Sequence, residues 1–109
     1  MITDQQLTDF CAAIDRDVRG PYFADMDAKW VANHGFPYSA PTRFERGQKY
    51  ARVIGTSGAQ SSAYCFVRLD DGAILKAAGY KVPAKGVRGW IANGAADVTP
   101  HGAKYARNV

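Results

Sequence analysis

The chain has 109 residues, of which 47% are hydrophobic and 22% charged, the size and balance of one globular domain; this excludes intrinsic disorder and two independent cores. No stretch approaches the roughly 18 apolar residues of a membrane span, so no membrane association is expected. Met1 to Phe10 carries Asp4 and Asp9 where a secretory leader would be basic and then apolar, so an intracellular location is expected.

The net charge of +4 is unevenly spread. Residues 1–40 hold Asp4, Asp9, Asp15, Asp17, Asp25 and Asp27 against Arg16, Arg19 and Lys29, a net of −3. Residues 41–109 hold four acids against eleven bases, a net of +7. Such a dipole speaks to partners rather than to fold. Mutual attraction of the two halves is the plainer explanation, and a ligand surface the sharper one.

Thr3-Asp4-Gln5-Gln6 fits a capping box. Leu7, Phe10, Cys11, Ile14 and Val18 follow at helical spacing, which predicts a helix over residues 4–19, ended by Gly20-Pro21. Asp9 and Asp15 fall off the apolar stripe and are expected to be exposed and dispensable for folding. A weaker helix is predicted from Tyr22 to Asn33, stopped by Asn33-His34-Gly35. Pro37 and Pro41 then predict an extended, irregular strap over residues 36–46.

A basic antiparallel sheet is expected over residues 47–96. Lys49 to Ile54 reads as a strand, and Gly55-Thr56-Ser57-Gly58 as a turn and mobile loop up to Ser61. Ser62 to Leu69 is the clearest strand, with Tyr64, Phe66 and Arg68 alternating against Cys65, Val67 and Leu69. Asp70-Asp71-Gly72 marks a tight hairpin, and Ala73 to Ala78 returns as its partner. After Gly79 no clean period remains, Asn93-Gly94 marks another turn, and residues 97–109 form a polar tail expected to fray unless Tyr105 anchors it. The fold class is therefore α+β: one or two N-terminal helices on an antiparallel sheet of three to five strands. A small partly closed barrel of SH3 or OB type is the alternative.

Features that could carry chemistry are few. Cys11 and Cys65 continue apolar patterns and read as buried, reduced thiols; a single disulfide, or a Cys65 nucleophile paired with His34 or His101, is the alternative. His34 and His101 show no metal-ligand spacing. Gly55-Thr56-Ser57-Gly58 lacks the Lys-Ser/Thr of a phosphate-binding loop. No carboxylate pair suits acid–base work, so neither enzyme activity nor a cofactor is expected. Lys76, Lys81, Lys85 and Arg88 recur every three to five residues with Tyr80 and Trp90 interleaved. Long cations suit phosphates and exposed rings suit bases, so these six residues, with Arg68, form the candidate binding set. The four cations are expected to converge on one sheet edge beside Tyr80 or Trp90. Tyr64, Phe66 and Arg68 either extend this as a stacking platform or lie in the core beneath the helices.

The run Lys76-Ala77-Ala78-Gly79-Tyr80-Lys81-Val82-Pro83-Ala84-Lys85-Gly86-Val87-Arg88-Gly89 resembles a segment of small uncharacterised proteins of tailed bacteriophages. Lys49-Tyr50, Cys65-Phe66-Val67 and Asp71-Gly72 are similar to further pieces of that layout, and the resemblance covers about residues 36–91. It departs at Tyr80, where the family pattern has Trp, and at Trp90, where it has Asn. It implies a viral context, with the host-cell cytoplasm as location, but no activity. Three functions follow as expectations: a nucleic-acid-binding accessory protein that favours single strands; an inhibitor of a host nuclease or defence complex, in the manner of an anti-CRISPR protein, with the acidic helix as a nucleic-acid mimic; or a minor virion component.

Overall fold

The computed structural model describes residues 1–104. Thr3 caps α1 (Asp4–Ile14) with the expected reciprocal box: the Gln6 amide donates to Thr3 Oγ1 at 3.2 Å and the Thr3 amide donates to Gln6 Oε1 at 2.9 Å. Leu7, Phe10, Cys11, Ala13 and Ile14 are buried, and each large apolar side chain among them contributes about 1.5–3 kcal/mol. The helix does not end at Gly20-Pro21. A π turn over Asp15–Arg19 carries it into α2 (Gly20–His34), with the Gly20 amide donating to the Asp15 carbonyl. Pro21 follows closely on the π turn, where it leaves one amide out of the continuous ladder. A Cβ at residue 20 would collide with the Asp15 carbonyl oxygen, so this wide turn requires glycine.

The turn aims Arg19 inward. Its guanidinium donates to Thr42 Oγ1 at 2.9 Å and to the Thr56 and Ala40 carbonyls at 3.1 and 3.4 Å, and faces the rings of Phe23 and Tyr64. Asp15 completes the clamp by accepting from the Thr42 amide at 2.8 Å and the Thr42 hydroxyl at 2.6 Å. Asp15 is thus half-buried and bonded from helix to sheet, where an exposed surface acid is expected. Asp9 is exposed, as expected, and accepts from Gln5 at 2.8 Å.

Five antiparallel strands follow in sequential order: β1 (Ser39–Arg46), β2 (Tyr50–Ser57), β3 (Gln60–Arg68), β4 (Ala73–Ala77) and β5 (Pro83–Trp90). The sheet is open, with β1 and β5 at its edges, and does not close into a barrel. The expected strap over residues 36–46 is largely β1; an edge strand tolerates Pro41, and its register slips between Ala40 and Arg43. The expected mobile loop after Ile54 is instead continuous strand with a tight turn at Gly58-Ala59, where both residues have positive φ.

One sheet face meets α1. Its core joins Leu7, Phe10, Cys11 and Ile14 to Ala51, Val53, Cys65, Val67, Leu69 and Ile74. Both cysteines are free and buried, as expected. Burial first and Asp15 second push the Cys11 thiol up to about 12, and burial pushes Cys65 up as well. A register shift opposite Val53 and Ile54 leaves Tyr64 without a partner in β2. Tyr64 therefore joins this core and donates its hydroxyl to the Thr99 carbonyl, while Phe66 lies outside it. Of the two alternatives, Tyr64 takes the core beneath the helix, and the bulge leaves Phe66 and Arg68 on the other face.

After β5, a 3₁₀ turn (Ile91–Asn93) leads to a small hairpin of β6 (Val98–Thr99) and β7 (Gly102–Ala103). Residues 97–104 are therefore ordered against the core through Val98 and Ala103 rather than frayed. The expected anchor Tyr105 lies outside the described residues.

A candidate nucleic-acid interface on the outer sheet face

The face turned away from α1 carries a different chemistry. Strict pairing puts Glu45 opposite Arg52, Arg52 opposite Phe66, Phe66 opposite Leu75 and Leu75 opposite Val87. One cross-sheet row therefore reads acid, base, ring, apolar, apolar. The adjacent row pairs Tyr50 with Arg68, and the Tyr50 and Phe66 rings meet nearly edge-on at 6.5 Å.

The β4–β5 connection folds over this face. Arg52 donates to the Tyr80 carbonyl at 3.0 Å, and its guanidinium carbon lies 4.3 Å from the Tyr80 ring centroid. Arg52 belongs to β2 and Tyr80 follows β4, so the contact reaches across β3 at the level of Phe66, which is buried. The reach explains why residues 78–82 have no period: the Ala78 and Gly79 amides turn back on the Val82 carbonyl instead of pairing in the sheet. The register of β4 against β5 also slips twice, which hides the alternation of β5 in the sequence.

Between this loop and the β1–β2 turn lies a groove of about 270 Å³, lined among others by Lys49, Tyr50, Arg52, Phe66 and Lys81. Arg46 also lines it, while holding Asp4 at 3.0 Å. Among the described residues Glu45 is the one carboxylate lining it, and it pairs with Arg52 at 2.7 Å. The hydrogen bond from Arg52 holds the Glu45 carboxyl below its ordinary range. At the far side Arg68 pairs with Asp71 at 2.7 Å, and that hydrogen bond likewise lowers Asp71. Both arginines are oriented by carboxylates and remain partly open to solvent. Lys49 lies 5.6 Å from the Tyr50 ring centroid. The arrangement offers oriented cations over aromatic surface, which is suited to an anionic, ring-bearing ligand.

The predicted set does not gather at one point. Tyr80, Lys81 and Arg68 belong to the outer face. Lys76 instead lines a cavity of about 260 Å³ on the helix side, with Tyr64, Thr99 and His101. Arg88 donates to the Lys104 carbonyl at 3.3 Å, toward the terminal hairpin. Lys85 is exposed on β5. Trp90, 42% exposed, donates its amide to Asp97 at the opposite end of β5 from Tyr80, a separation of about 20 Å along a strand. The four cations thus share the β4–β5 hairpin but diverge across its two sides, because successive strand residues alternate faces. Lys49, Tyr50 and Arg52 were missed in the sequence, although Tyr50 and Arg52 alternate with apolar Ala51 and Val53 and so mark a polar face. Among the described residues, no cluster of His, Cys, Asp or Glu could hold a metal ion.

The sequence matches DUF7717, a family of unknown function, over residues 6–99. No curated protein and no solved structure matches.

Proposed function

We propose that this chain, which belongs to the DUF7717 family, is a non-enzymatic protein that binds single-stranded nucleic acid across its outer sheet face. The observation that carries this reading is the fold-over of the β4–β5 connection, which lays Tyr80 against Arg52 beside Lys49, Tyr50 and Lys81. Phosphates would be met by Lys49, Lys81 and the exposed edges of Arg52 and Arg68. Tyr80, 44% exposed, offers a ring face to a base. The helical carboxylates support this choice of surface over the acidic helix. Asp4, Asp15 and Asp27 are engaged by Arg46, Thr42 and Ser39 respectively, which leaves them poorly placed to imitate phosphates. A phage accessory role in the host cytoplasm fits the same reading.

Fluorescence anisotropy with labelled oligothymidine and oligouridine tests it. Three to four phosphate contacts give a log K against log salt slope of about −2 to −3. Lys49→Ala with Lys81→Ala flattens that slope. Tyr80→Ala weakens binding by about 1–3 kcal/mol with the slope nearly unchanged. Absence of binding to either oligonucleotide at roughly 50 mM salt, where backbone contacts are strong, refutes the proposal.

A further inference from the structure

The second helix is under-used by the fold. α1 buries five residues against the sheet, whereas α2 buries none over its 15 residues. Most of its ties to the body run along one side, and Tyr22 also packs edge-on against the His101 ring at 5.2 Å. Asp27 accepts from the Ser39 amide at 2.7 Å, and Phe23 and Trp30 pack on the Tyr38 ring at 6.0 and 5.0 Å. Tyr22 and Met26 stand 55% and 44% exposed, while Val31, also exposed, lies on another side of the helix. A helix of this length is marginal in water without a packed face, so so much uncovered apolar surface on it calls for a partner.

We propose that the partner is a second copy of this chain, with the two α2 helices packed antiparallel about a two-fold axis. The sequence of the exposed stripe selects this occupant. Tyr22, Asp25, Lys29 and Ala32 are spaced three, four and three residues apart, and so form one line along the helix. Among the described residues, neither Asp25 nor Lys29 has an ion pair or a side-chain hydrogen bond. A two-fold axis level with Asp27 sets Asp25 of one chain against Lys29 of the other, and the same pair forms again on the other side. It also sets the large Tyr22 against the small Ala32, twice. The stripe borders a groove of about 500 Å³ lined also by Phe23 and Tyr38, so the second helix meets an apolar seat. A basic partner would gain from Asp25 but be opposed by Lys29, and an acidic one the reverse. Only a partner carrying both charges in inverted order satisfies both, and this chain is such a partner. The proposal is independent of nucleic-acid binding, since the outer sheet face takes no part in it.

Sedimentation equilibrium of the full chain without nucleic acid tests this. A reversible monomer–dimer equilibrium is expected. Asp25→Lys and Lys29→Asp, each placing like charges together, weaken association by about tenfold or more. The double exchange D25K/K29D restores it. Far-UV circular dichroism identifies any variant that has lost its helix, and Met26→Glu, on the flank of the stripe, provides a second disruption. A wild-type chain that stays monomeric at every concentration overturns the proposal. So does a dimer that survives the single reversals, or a double exchange that fails to restore association in a folded chain.

Discussion

Arg19→Met would test whether the clamp at the π turn holds helix and sheet together. The substitution keeps most of the buried stem and removes only the guanidinium. Arg19 is 4% exposed and donates to Thr42, Thr56 and Ala40, the last at a long 3.4 Å. Hydrogen bonds from a charged donor contribute about 1.5–3 kcal/mol each. Two good bonds, the weak third and the loss of ring contacts at Phe23 and Tyr64 place the cost near 3–4 kcal/mol, within the range seen when one member of a buried charged network is removed. For a domain of this size, that lowers the melting temperature by about 15–25 °C. Thermal and urea unfolding followed by circular dichroism measures it, with Asp9→Asn as a surface control that shifts stability by less than about 0.5 kcal/mol. A loss below about 1 kcal/mol for Arg19→Met would mean that water replaces the guanidinium at no cost and that the clamp does not hold the layers together.

Asp15→Ala, which strips both bonds from Thr42, should destabilise by about 1–3 kcal/mol in the same assay, far more than Asp9→Asn. Gly89→Ala should cost about 1–3 kcal/mol, since the new Cβ would collide with the Asp97 side chain that holds the Trp90 amide; a neutral result would show that β5 and the segment entering β6 can part freely. Both thiols should label slowly in the native protein and rapidly on denaturation, which a mass-shift assay reads directly. Burial raises the folded-state value of Cys11 from 9.0 to about 12, so the unfolded chain ionises first as pH rises. The contribution of the neutral thiol to stability is therefore full below about pH 9 and lost between 9 and 12, and urea midpoints measured across that window should fall less for Cys11→Ala than for wild type.

What was legible in the sequence followed local rules. The Thr3 cap, the stripe of Leu7, Phe10, Cys11 and Ile14, the Asp70-Asp71-Gly72 turn and the antiparallel meander depend on neighbours in sequence, and each is present. What escaped depends on distant partners. Gly20-Pro21 looks like a stop, yet Arg19 finds three acceptors on β1 and β2 that reward carrying the helix through. Tyr64 and Phe66 look like one platform, because a bulge in β3 is set by β2 and not by β3 itself. The basic run from Lys76 to Arg88 looks like one cluster because its cations are close in sequence, yet they lie apart in space. Of that run only Lys81 lines the groove, with Tyr80 against Arg52 beside it, and their companions come from the β1–β2 turn and β2.

The π turn has a further consequence as a screw setting. It fits five residues where a regular helix closes with four, and every side chain beyond it is phased by that extra residue. Deleting one residue between Asp15 and Arg19 would rotate all of α2 by about 100° relative to α1. Phe23, Asp27 and Trp30 would swing off Tyr38 and Ser39, and another row of side chains would take their place. A one-residue deletion at this point would therefore act less as a local lesion than as a change of which surface the far helix shows to the world. Members of the family that differ in length here should differ also in what that helix meets.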